Sequence, residues 1–254
     1  MKKHTFILTL AIFAAGLAQA YSQIGGPMSG GSQLGGGMDK LFGDNKAFSA
    51  TLEVQTKDPS GSLMTIPGKL AFDAGNSRFE MNMSEMKGGK IPPAAAAQMK
   101  AMGLDRMVTI SQSDKKTIYL IYPNVQSYVE MTSDHPAVAT TKEDATIETT
   151  KLGDETIAGH PCVKNKDVIT DKQGGKQEFT VWNATDLKNF PIQIEMIAQG
   201  NTVNMSYTDL NFSKPDAGLF NPPGGFTRYD NMQAMMQQVM MKKMGGGAGI
   251  PPGQ

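Results

Sequence analysis

Alternation of apolar and polar residues with a period of two is the feature that most restricts what this chain can fold into. Phe48, Ala50, Leu52 and Val54 alternate with Ser49, Thr51, Glu53 and Gln55. Successive side chains of an extended strand point to opposite faces, so this run is a strand with one apolar and one wet side. The pattern returns in Phe79, Met81 and Met83 against Arg78, Glu80 and Asn82, and in Ile192, Ile194 and Met196 against Gln193 and Glu195. Apolar parity runs through Val203, Met205 and Tyr207 and then shifts to Leu210 and Phe212, which places a bulge near Thr208 and Asp209. The run from Lys116 to Tyr122 is apolar on both faces and reads as a more central strand.

Turn residues separate these runs: Asp58-Pro59-Ser60-Gly61, Ala74-Gly75-Asn76, Tyr122-Pro123-Asn124 and Lys172-Gln173-Gly174-Gly175. Many short strands with hairpin turns, and no alternating helices, imply a mainly β fold: an antiparallel meander that closes into a barrel or stays a curved open sheet. Two helical segments interrupt it. Proline opens the stretch from Pro93 to Met102 and Gly103 follows it, each in its favoured position, with Ala95, Met99 and Met102 on one face. From Asn231 to Met244, the residues Met232, Met235, Met236, Val239, Met240 and Met244 form an apolar stripe. One or both helices are expected to cover the apolar side of the sheet.

The ends differ from the body. Lys2 and Lys3 precede an apolar stretch from Thr5 to Leu17 and the small-residue site Ala18-Gln19-Ala20, the layout of a secretory signal cleaved after Ala20. The stretch is shorter than the roughly 20 apolar residues a spanning helix needs, so a periplasmic or secreted protein with no transmembrane segment after cleavage is expected. Seven glycines between Ile24 and Met38 make residues 21–44 a flexible arm, and 245–254 are a glycine- and proline-rich disordered tail. Between them lie a β domain over 45–229 and the methionine-rich helix over 230–244. The 24 basic and 24 acidic residues balance, giving nothing to attract nucleic acid. Cys162 is the single cysteine, so no internal disulfide supports the fold.

Methionine is the compositional oddity, at 19 residues. Its unbranched, polarizable side chain adapts to irregular apolar surfaces. One reading is a deformable pocket for acyl chains, lined by Phe79, Met81, Met83, Met99 and Met102, with the first helix as a lid; the other is an ordinary solid core in a protein interaction or scaffold module of the cell envelope. A third is Cu(I) binding, because thioethers select that ion and Met232 with Met235, or Met241 with Met244, share a helical face. His160 and Cys162, two apart on a strand, are too few for zinc, and His135 has no ligand spacing around it. No nucleophile elbow, zinc-protease helix or phosphate loop is present, and the acid pairs Glu143-Asp144 and Asp154-Glu155 sit in charged, turn-like contexts. A non-enzymatic binding module without a cofactor follows, its partners a lipid, a lipoprotein or an envelope protein.

The run from Lys151 to Cys162, Lys-Leu-Gly-Asp-Glu-Thr-Ile-Ala-Gly-His-Pro-Cys, resembles the central motif of an exported bacterial domain of unknown function, DUF4412. Val181-Trp182, Ala184-Thr185-Asp186-Leu187, Phe190-Pro191-Ile192 and Leu219-Phe220-Asn221-Pro222-Pro223-Gly224-Gly225-Phe226 are similar to its later strands and closing turn. Proteins of this type resemble the periplasmic lipoprotein carriers LolA and LolB. That resemblance implies an unclosed antiparallel barrel whose helices plug a concave apolar side, and no catalytic residue. In those carriers an arginine helps latch the lid, and Arg78 and Arg106 are the candidates by position. The methionine-rich helix and the glycine-rich arm have no counterpart in the shared region.

Overall fold

The computed structural model describes residues 38–89, 92–132, 145–170 and 174–245, with the backbone alone at 38 and 243–245. The signal-like residues 1–20, most of the glycine-rich arm, the tail after Gly245, His135, the pair Glu143 and Asp144, and the Lys172-Gln173 half of one turn lie outside the described residues.

The alternating run at Phe48 becomes β1 (Ala47–Lys57), in the middle of a single 13-stranded sheet. One antiparallel meander leaves it through β2 (Leu63–Asp73) and β3 (Asn76–Asn82), with the two-residue β4 (Lys87–Gly88) pairing only with the start of β2. It continues through β5 (Arg106–Gln112), β6 (Thr117–Tyr122) and β7 (Ser127–Met131). The chain then passes to the opposite edge, where β8 (Thr146–Ile157) begins a second meander. β9 (His160–Thr170), β10 (Lys176–Ala184), β11 (Phe190–Ala198) and β12 (Asn201–Asn211) bring it back to pair with β1. Short β13 (Thr227–Tyr229) adds to β7, the one parallel pairing among the described residues. Among the described residues β13 and β8 do not pair with each other, so the sheet stays open.

Local chemistry explains the register. The parity shift after Tyr207 is a bulge, since Ser49 pairs with Asn211 but Thr51 pairs with Thr208, and Asp209 takes a left-handed φ of 51°. Pro67 is tolerated in a strand paired on both sides because it falls where the outer partner of β2 changes from β4, at Met64 and Thr65, to β3, beginning at Gly68.

Two clusters of apolar side chains form. The larger fills the concave side of the sheet; the smaller, Ala71, Val108, Ile110, Ile121 and Phe220, lies on the other face beneath the segment following β12. β5 and β6 are therefore covered on both faces, as the doubly apolar run ending at Tyr122 implies. At the end where β1 and β11 begin, Phe42, Phe48, Phe72, Phe190, Tyr207 and Phe212 pack with ring centroids 4.8–5.9 Å apart. Phe42 belongs to a 3-10 turn, Met38–Phe42. The arm expected over 21–44 thus gives way to folded chain at residue 38, because burying Leu41 and Phe42 outweighs the entropy that the preceding glycines would keep.

α1 (Pro93–Met102) and α2 (Met232–Gly245) lie over the concave side. α1 ends with Gly103 at φ 75°, its N–H bonded to the Lys100 carbonyl, while the Leu104 N–H returns to the Met99 carbonyl. The Asn231 side chain accepts from the Ala234 N–H at 2.8 Å and caps α2.

Candidate functional site

The concave face is built from alternation. Phe79 and Met81 of β3 point inward, and β3 then gives way to a 3-10 turn, Met83–Glu85, capped by the Asn82 side chain, which leaves Met83 buried beside them. From α1, Met99 is 1% exposed and Met102 is buried, as is Leu104 just past the helix end. All five candidates, Phe79, Met81, Met83, Met99 and Met102, belong to one apolar cluster. Eight methionines are buried in that cluster and six more pack against it; among the described methionine side chains Met241, 60% exposed, alone stands outside.

Glycine makes room in this wall. A Cβ on Gly68 would lie 2.4 Å from Phe79 Cε2 and 2.5 Å from the Glu80 carbonyl oxygen, so the Phe79 ring lies across β2 where a side chain would otherwise stand. Asp105 ties down the C-terminal end of α1: its carboxylate accepts from Asn124 Nδ2 at 3.1 Å and Ser84 Oγ at 3.3 Å, and its carbonyl accepts from the Met83 N–H at 2.7 Å. No sequence pattern marks Asp105, since an acid after a helix C-cap is ordinary loop chemistry. α2 adds Met235 and Val239 to the cluster, with Met232, Met236 and Met240 half-buried. Met235 thus serves as packing, and Met232 lies partly against the same core.

The latch candidates lie elsewhere. Arg78 and Arg106 alternate with the inward residues and face away from α1, where both grip Glu80, Arg78 at 2.6 Å and Arg106 at 3.1 Å. Burial alone would raise the Glu80 pKa, but the two guanidiniums outweigh it and hold the carboxyl below its usual range. Arg78 also donates to the Leu219 carbonyl. Shallow pockets of about 270 and 390 Å³ flank this network on the outer face.

The motif from Lys151 to Cys162 forms a corner. It spans the second half of β8, the turn and the start of β9, and Asp186 in the β10–β11 turn meets His160 Nδ1 at 2.9 Å. The Pro161 carbonyl accepts from both the N–H and the hydroxyl of Thr185. Glu155, in the pair read as a charged turn, lies instead on β8, where it accepts from Trp182 Nε1 and Lys164 Nζ, each at 2.8 Å, and these bonds lower its pKa. Lys164 also stands 4.9 Å over the indole. Cys162 is buried, and that burial pushes its thiol pKa up. These contacts fix how two hairpins meet and assemble no reactive group.

The model of a domain of unknown function (DUF4412) matches residues 48–211, from the first buried phenylalanine of β1 to the end of β12. The chain is a member of the DUF4412 family. The matched region takes in both meanders, the motif corner and α1, and leaves out Phe42, the segment over the outer face and α2. Among solved structures the chain is similar to a LolA superfamily protein from Nitrosomonas europaea, with 11% identity over 72% of this chain and 93% of that one and a TM-score of 0.37. It is similar to lipoprotein LppX from Mycobacterium tuberculosis, with 11% identity over 74% and 94% and a TM-score of 0.37. A third is MucB in complex with MucA(peri), with 12% identity over 75% and 61% and a TM-score of 0.33. None of the curated proteins matches it. Among the described residues no helix is long and apolar enough to cross a membrane, which leaves strand-built spans untested.

Proposed function

We propose that this DUF4412 protein is a non-enzymatic binding module of the cell envelope that shelters an acyl chain or similar apolar ligand on the concave side of its open sheet. The observation that carries the reading is that Met81 of β3, Met83 of the turn after it and Met99 and Met102 of α1 belong to one apolar cluster, side chains that repack around a guest more readily than branched ones. An open sheet has no closed hydrogen-bonded rim to break, so a helix can swing away while the strands hold. The signal-like residues 1–20 support a periplasmic or secreted location. The test is to purify the protein from the envelope of its own cells, extract it with organic solvent and identify co-purified lipids by mass spectrometry. Stoichiometric lipid is expected; lipid-free protein that also fails to bind a fluorescent acyl probe refutes the reading.

A further inference from the structure

Asp167 stands in the wrong chemistry for its place. It pairs with Phe179 of β10 on one side and Thr149 of β8 on the other, and directly paired residues project to the same face of a sheet. Phe179 is buried in the main cluster, and Met196, Val203 and Thr56 follow in the same cross-strand row. Asp167 is 5% exposed. The Thr149 hydroxyl supplies one hydrogen bond to its carboxyl, while Oδ1 is enclosed and has no hydrogen-bond partner among the described residues. At the other end of the row, Thr56 Oγ1 is in the same condition.

Folded proteins find donors for nearly all such atoms, because an enclosed carboxyl oxygen without one is strongly unfavourable. Burial pushes the Asp167 pKa up, as this environment requires. The residue therefore does nothing for the fold that an apolar side chain would not do better.

We propose that Asp167 is the polar anchor of the concave face and selects an amphiphile whose head carries a hydrogen-bond donor, a hydroxyl or an ammonium, over one whose head is a carboxylate. The inference rests on the carrier reading above. A donor head satisfies Oδ1 while its chain lies along Phe179, Met196 and Val203. A carboxylate head supplies no proton to Oδ1, and wherever Asp167 is ionised it sets a second negative charge beside the first.

The test compares 1-monomyristoylglycerol with myristate, which have the same acyl chain, by displacement of a fluorescent acyl probe from the purified protein at neutral pH. The glyceride is expected to bind about tenfold more tightly. The near-isosteric Asp167→Asn should tighten myristate about tenfold and leave the glyceride within about twofold. Asp167→Leu should lose the preference while still binding both. A preference unchanged in whichever variants fold by circular dichroism, or equal binding of both amphiphiles to the unaltered protein, overturns the proposal and leaves the carrier reading standing. If the unaltered protein binds neither, the carrier reading falls and takes this proposal with it.

Discussion

Phe48 and Met81 point into the same interior from strands separated only by β2, yet they pack in different ways. Phe48, fully buried, is held among Phe42, Phe72 and Phe190, rings with two torsions each and fixed edge-to-face preferences. Met81 pairs with Gly68 and Met107, and Gly68 in turn pairs with Leu52, four residues along β1 from Phe48 or about 13 Å at ordinary strand rise. There the neighbours are thioethers and one ring lying over a glycine. The aromatic end has one close-packed solution. The methionine end is built from unbranched side chains with three rotatable bonds each, the kind that tolerates repacking, and Met99 and Met102 of α1 and Met235 of α2 belong to the same cluster. The two ends of one core thus differ in the stiffness of their side chains, and the proposed function assigns stability to the rings and adaptability to the methionines.

That division can be broken by substitution. Phe48→Ala should remove about 3–5 kcal/mol of unfolding free energy in urea denaturation, because its ring neighbours cannot collapse into the hole. Gly68→Ala should cost about 1–3 kcal/mol in the same measurement, since the new methyl would force Phe79 from its place against β2. Met81→Leu should cost less than about 1.5 kcal/mol, the usual result of a volume-conserving swap, and a loss as large as that of Phe48→Ala would erase the distinction between the two ends. Glu80→Gln, on the outer face, should be the mildest, at about 0.5 kcal/mol near neutral pH. Its sign with pH follows from the lowered pKa: the folded state binds the proton less readily than the unfolded chain. The stabilisation is therefore present above the unfolded carboxyl pKa and lost as pH falls through the folded one. Denaturation midpoints of the two proteins should accordingly converge in acid.

Elements with one buried face were legible in the sequence. The alternation at Phe48, the parity slip at Thr208 and Asp209, and the proline and glycine that bracket α1 each survive because burial imposes a period and caps impose a residue type. β8 was not legible as a strand. It is an edge strand exposed along nearly its whole length, so neither face selects apolar residues, and Asp154 and Glu155 read as a charged turn. Ile110 and Ile121 lie on a face that an isolated strand would show to water, and the cover that buries them, Phe220, is 99 residues beyond Ile121. The latch assignment failed for a related reason: position along the chain does not say which side of β3 Arg78 occupies, whereas its parity opposite Phe79 and Met81 does. Of the candidate cavity residues, those on β3 follow from period two and those on α1 from helical spacing. Their meeting depends on how the chain crosses from β3 to β5, which no local pattern encodes.

The central claim is that the methionine end opens around a guest while the aromatic end stays shut, and methionine methyl resonances report it directly. With ¹³C-labelled methionine methyls, adding 1-monomyristoylglycerol should shift the signals of Met81, Met83, Met99 and Met102, and that of Met196 in the cross-strand row of Asp167, assigned by single substitutions, and leave the phenylalanine ring signals of Phe48 and Phe190 in place. Methyl signals that do not move, or that move only at exposed Met241, would contradict it.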